Sequence, residues 1–197
     1  RPGTRAQLAK ATELIRASKR PVSLAGQGVI QSKGMKELIA FDELLNAPIA
    51  MTLLGLGGLP ASHPLNIGMM GMHGEAWVNH AIQEADLLIA AGMRFDDRVT
   101  GNLKTYAPNA RKIHIEIDPS SINKNVRVDV PVVGDVAYVL EELIRTWKGK
   151  AATVDKTAIT SWWAQIDQWR AKQCPRYKTP RPERRRGGKE GRHRGSP

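Results

Sequence analysis

The chain has one cysteine in 197 residues, Cys174. An internal disulfide is excluded, and the lone thiol, incidental and near the end of the chain, fits a reducing cytoplasmic compartment. Aromatic residues are scarce, at 5%. No apolar run approaches the roughly 20 residues needed to cross a bilayer, so no membrane partner is expected. Arg1-Pro2-Gly3-Thr4 offers neither an initiator Met nor a signal-peptide core, and the chain reads as an excised piece. Heptads and internal repeats are missing as well. The histidines (His63, His73, His80, His114, His193) are scattered without metal-ligand spacing, and no metal site is expected.

Acidic residues are the minority, 19 against 30 Lys and Arg, for a net charge of +11. The excess is local. Residues 176–197 hold nine Lys or Arg against Glu183 and Glu190, a net +7 that leaves only +4 for the remainder. This end is rich in Arg, Gly and Pro and almost empty of apolar residues, so it is expected to be a disordered basic tail. Such a tail binds polyanions in a salt-dependent way, and a nucleic-acid binder is one alternative function. The body is only mildly basic, which argues against nucleic acid as its partner.

What is present is an alternation of apolar strands and amphipathic helices. Thr4 caps a predicted helix reaching about Ser18, with Leu8, Ala11, Leu14 and Ile15 on one side. Strands are predicted over Val22–Ala25, Pro48–Leu54, Leu87–Ala91, Lys112–Ile117 and Val130–Val133. Helices are predicted over Met35–Asn46, Glu75–Glu84 and Val136–Lys148, with Leu59–Gly74 left irregular. Trp162, Ile166 and Trp169 recur at helical spacing and predict a last helix packed on the body. The implied fold is α/β, a Rossmann-like three-layer α/β/α arrangement with a mainly parallel sheet of five or six strands. The expected divisions are a domain over 1–148, a helical linker over 149–175 and the tail.

Ligands of open α/β sheets sit beyond the carboxyl ends of the strands, so those ends carry the functional reading. Leu87–Ala91 stops at Gly92 and runs into Arg94, Asp96, Asp97 and Arg98. Two guanidinium groups and two carboxylates there orient an anionic, hydrogen-bonding ligand, or else neutralise one another as a salt-bridge loop. Gly26-Gln27-Gly28 follows the first strand, either for close backbone approach to a ligand or as a plain turn. It is not the dinucleotide fingerprint, because Gln31 occupies the third glycine position. Thr52 and Leu53 follow the second strand. Met72 and His73 sit on a glycine-flexed loop opening a helix, where Met72 is either a ligand contact or core filler. Glu116-Ile117-Asp118 offers a carboxylate for a sugar diol or for capping, with Asn123 just beyond. Gly134-Asp135 ends the last strand, and Asp135 is expected to cap the next helix.

Five motifs in this order carry a resemblance: Ala25-Gly26-Gln27-Gly28, Gly71-Met72-His73-Gly74, Ala91 to Asn102 with its Arg-Phe-Asp-Asp-Arg-Val-Thr-Gly string, Ile115-Glu116-Ile117-Asp118, and Gly134-Asp135. Over about Arg1 to Arg145 the chain resembles the central domain of acetolactate synthase large subunits, in the thiamine-diphosphate enzyme superfamily. The resemblance implies an extended FAD. Gly26, Gln27 and Gly28 would approach its backbone, with Thr52 and Leu53 near. Met72 and His73 would lie beside the isoalloxazine, and Gly92, Arg94, Asp97 and Arg98 along the ring and pyrophosphate. Glu116, Ile117 and Asn123 would hold the adenosine side, closed by Gly134 and Asp135. Met72, Asp97 and Arg98 also match family positions near the active-site mouth, where herbicidal inhibitors bind.

The resemblance further implies thiamine diphosphate and Mg²⁺ on other domains of the same subunit, a homodimer and a small regulatory subunit. No Gly-Asp-Gly diphosphate motif occurs here, so no catalytic residue is assigned and the isolated chain is expected to be inactive. The remaining alternative is a cofactor-free structural domain of a related enzyme.

Overall fold

The computed structural model describes residues 4–173; the predicted basic tail and Cys174 lie outside the described residues. Helix α1 (Arg5–Ala17) begins at a capping box: the Gln7 amide donates to Thr4 Oγ1, and the Thr4 amide donates to Gln7 Oε1 at 2.9 Å. Strand β1 (Pro21–Ala25) leads into the single-turn helix α2 (Gln27–Gln31), then α3 (Met35–Leu45) and β2 (Ile49–Met51). Next come β3 (Asn66–Met69), α4 (Ala76–Glu84) and β4 (Leu87–Ala91). The short α5 (Asp97–Thr100), β5 (Arg111–Glu116), β6 (Val130–Val133), α6 (Val136–Gly149) and α7 (Lys156–Gln173) complete the described chain.

The six strands pair in parallel in the order β3-β2-β1-β4-β5-β6. Every residue of β1 and β4 is buried, as strands covered on both faces must be. Side chains alternate between two cores. Leu87, Ile89 and Ala91 join residues of α1, α3 and α6, among them Ile15, Phe41 and Leu140. Leu88 and Ala90 face α4 and α7, joining Val78, Ile82, Trp162 and Ile166. The three-layer α/β/α expectation holds.

Two elements differ from the sequence reading. β3 lies inside the stretch expected to be irregular. It is a four-residue edge strand whose register against β2 slips between Ile49 and Ala50, with Gly68 at φ +114°. So short and interrupted a strand has no alternation to detect. β2 ends three residues early, because Thr52 caps a 3-10 turn, accepting from the Gly55 amide at 3.1 Å.

Helix α7 packs on the body through its indoles. Trp162 Nε1 donates to the Pro21 carbonyl at 3.0 Å and Trp163 Nε1 to the Asn46 carbonyl at 2.8 Å. Trp162 and Trp169 meet edge-on. Within the described residues no helix is long and apolar enough to cross a membrane.

Candidate functional site

A parallel sheet brings every strand's carboxyl end to one edge, so the segments singled out above share a rim. The glycines after β1 have a structural explanation. A Cβ on Gly28 would meet Gly92 Cα at 2.6 Å, and one on Gly26 would meet the Gly92 carbonyl oxygen at 2.3 Å. The Gly28 amide donates to that same carbonyl at 2.8 Å. Gly92 itself has φ +57°. The close approach these glycines permit is therefore between two loops of the chain.

The charged loop after β4 is only partly self-neutralised. Arg94 Nη2 lies 3.6 Å from Asp96 Oδ2. Asp97 and Arg98 are exposed on α5 and make no ion pair among the described residues. The loop after β3 arrives beside them: the Met72 amide donates to the Arg98 carbonyl at 3.0 Å. Met72 is 72% exposed, so it is not core filler, and His73 is exposed next to it. A cleft of about 260 Å³ behind this junction is lined by Gly71, Met72, Val99 and Tyr106, among others. Met72 alone of the sixteen candidate residues reaches it; none of the other fifteen lines it.

On the far side of β4, Glu116 turns back on its own chain, its Oε1 accepting from the amides of Ile117 (2.8 Å) and Asp118 (3.3 Å). Asp118 does the capping. Its carboxylate accepts from the Ser120 amide and hydroxyl, bonds that hold its pKa below the ordinary value. Asn123 sits at φ +59° and accepts from the Val128 amide at 2.8 Å, a turn-forming role. Asp135 caps α6 as expected, accepting from the Tyr138 amide at 3.1 Å. Gly134 is buried, its amide donating to the Glu116 carbonyl at 3.0 Å.

Two residues to which the sequence reading gave no role support the rim from below. His114 on β5 is fully buried with Nε2 2.7 Å from the Met93 carbonyl, and burial pushes its pKa below the usual value. Asn125 Nδ2 donates to the Phe95 carbonyl at 2.8 Å. A histidine set between Ile113 and Ile115 in a predicted strand was the only sequence signal for the first. The second had none.

Residues 8–143 match the family model described as "Thiamine pyrophosphate enzyme, central domain". The chain belongs to this family. The match runs from α1 into α6 and takes in all six strands. The chain is similar to the acetolactate synthase isozyme 3 large subunit of Escherichia coli, with 43% identity over 90% of this chain and 31% of that protein. It is also 42% identical to the acetolactate synthase large subunit of Haemophilus influenzae, over 87% of this chain and 30% of the relative. A probable acetolactate synthase large subunit of Methanocaldococcus jannaschii is 51% identical over 70% of this chain and 23% of its own length. This central domain thus spans about a third or less of the relatives it matches. The Escherichia coli match extends over 177 of 197 residues, long enough to include α7 as well as the strands.

Proposed function

We propose that this chain is the FAD-holding central domain of an acetolactate synthase large subunit. One observation carries the reading. Among the described residues the four most exposed large apolar side chains, Leu53, Leu54, Met72 and Ile117, are 63–72% exposed and all follow strands on the rim that also bears Arg94 and Arg98. Exposed apolar groups clustered with cationic ones match a ligand that is part ring system and part phosphate. From the end of β3 to the end of β6 the rim spans five strand spacings, about 24 Å. That length suits an extended dinucleotide rather than a mononucleotide. The residues present therefore fit the group.

In this reading Met72 and His73 flank the flavin ring, with Thr52, Leu53 and Gln27 along the neighbouring strand ends. Arg94 and Arg98 donate to the pyrophosphate, for which the planar guanidinium fork is suited. Asp97 orients the ring side. Glu116, Ile117 and Asn123 face the adenosine, and Gly134 with Asp135 close that end. The interlocked Gly26, Gly28 and Gly92 fix the floor between β1 and β4. When bound, FAD supplies a planar ring and a pyrophosphate for the rim to hold, without net redox change in the overall reaction. The whole enzyme would condense two pyruvates to 2-acetolactate with release of CO₂, using thiamine diphosphate and Mg²⁺ held by its other domains. A homodimer, a small regulatory subunit and a cytoplasmic location belong to the same proposal.

The glycine interlock favours a second reading, a cofactor-free scaffold, since it explains three candidate residues without any ligand. Equilibrium dialysis of the purified chain against FAD separates the two. Saturable one-to-one retention with flavin absorbance is expected, and absence of retention would leave the scaffold. The chain alone should form no acetolactate with thiamine diphosphate and Mg²⁺ supplied; measurable formation would contradict the assignment of catalysis to other domains.

A further inference from the structure

We propose that His114 and Asn125 are positioning residues that lay out the charged loop at residues 93–98 for its ligand; the inference rests on the FAD reading of the rim. The loop follows Gly92 in an alternating pattern: Met93 and Phe95 are each 4% exposed, while Arg94 between them is exposed. Both inward residues are held by their carbonyls from the β5 side. His114, opposite Ala90 of β4 and Pro131 of β6, places Nε2 2.7 Å from the Met93 carbonyl. A carbonyl only accepts, so Nε2 carries the proton. The ring also meets Phe95 edge-on at 5.1 Å between centroids. Asn125, thirty residues along the chain from Phe95, donates to its carbonyl at 2.8 Å.

Pinning the carbonyls of residues 93 and 95 fixes the 93–94 and 95–96 peptide planes, which bracket the Arg94–Phe95 segment, and so directs the Arg94 side chain away from the core. It also sets where Asp96 begins the α5 turn, in which the amides of Val99 and Thr100 donate to the Asp96 carbonyl at 2.9 and 3.0 Å. The position of Arg98 follows, and with it the Met72 bond. Neither positioning side chain needs to touch the ligand. Preorganisation of this kind raises affinity by removing an ordering cost from the binding step.

The test uses His114→Gln, His114→Asn and Asn125→Ala in this chain, with two readouts. Glutamine places an amide N–H near the position of histidine Nε2, and asparagine stops near Nδ1. Native-state hydrogen exchange at Met72, Val99 and Thr100 reads loop order without ligand, and FAD titration by flavin fluorescence reads the consequence. Asn125→Ala and His114→Asn should each speed exchange at those amides and weaken FAD by about tenfold, the loss of roughly one net hydrogen bond. His114→Gln should stay close to the parent in both. The proposal is overturned if Asn125→Ala leaves exchange and affinity unchanged, or if His114→Gln is as impaired as His114→Asn. Asn125 is exposed, so its variant decides the matter even if a buried substitution at 114 does not fold. Should the parent chain bind no FAD, the function reading fails while the exchange arm still decides this one.

Discussion

The Met72 amide donates to the Arg98 carbonyl at 3.0 Å, joining the loops after β3 and β4 although β2 and β1 stand between those strands. Gly71 makes the approach possible: it has φ +102°, and a Cβ there would meet the Arg98 carbonyl oxygen at 2.8 Å. The junction uses only the backbone of residue 98. Its guanidinium stays exposed and, among the described residues, free of ion pairs.

Arg98→Ala therefore separates binding from folding. The variant keeps the Met72 bond, so its melting temperature should shift by less than about 3 °C, as for other exposed charges. FAD affinity should fall about tenfold or more with the loss of a charge-assisted hydrogen bond. Dialysis and a thermal melt on the same sample check both. A variant that unfolds yet binds normally when folded would show that the loop is structural.

Gly92→Ala should do the opposite. A Cβ there would meet Gly28 Cα at 2.6 Å and the Val29 nitrogen at 2.7 Å, all backbone, at a residue already holding φ +57°. Strain and overpacking together should cost more than about 3 kcal/mol in urea unfolding. A stable Gly92→Ala variant would mean that β1 and β4 do not interlock as described.

Leu88→Ala probes the second core. Leu88 is fully buried between Val22 of β1 and the α4–α7 layer, with Lys112 of β5 on its other flank. Truncation should cost about 2–5 kcal/mol, measured by denaturant unfolding, with FAD affinity of the folded fraction preserved. A loss below 1 kcal/mol would place this side chain near the surface.

The central strand β4 was legible because a parallel strand buried on both faces is an uninterrupted apolar run; it matches its predicted bounds residue for residue, as does the edge strand β6. β3 and α2 were not legible. β3 is interrupted at Gly68 and α2 is a single turn opening on a glycine, and tertiary partners hold them: Glu75 accepts from the Met69 amide at 2.6 Å, and the Gly28 amide reaches Gly92. At the rim, the exposed charges of residues 94–98 could be read from their place after an apolar run. The supporting bonds of His114 and Asn125 join positions 21 and 30 residues apart, a separation that no local pattern reports.

Asp42 gives the chain a pH signature that the sequence pattern conceals. It lies fully buried on α3, its Oδ1 accepting from the Ser23 hydroxyl at 2.6 Å and its Oδ2 without a partner among the described residues. Burial raises its pKa well above the ordinary value, against the smaller opposing effect of that hydrogen bond. In the unfolded chain an Asp ionises near about pH 3.9. Above that pH the unfolded state has released a proton that the folded state still holds, so this group's contribution to stability declines as pH rises toward the folded pKa and is constant beyond it. His114 has the opposite sign. Its lowered pKa gives stability present above the unfolded His value and lost as pH falls through the folded one. Asp42→Asn removes only the first contribution, so the His114 contribution cancels when variant and parent are compared at the same pH. The stability of Asp42→Asn relative to the parent should therefore climb from about pH 4 upward and then level off, as read from urea unfolding at about pH 4, 6 and 8. A difference that stays flat across that range would mean that this carboxyl is solvated and charged in the folded chain.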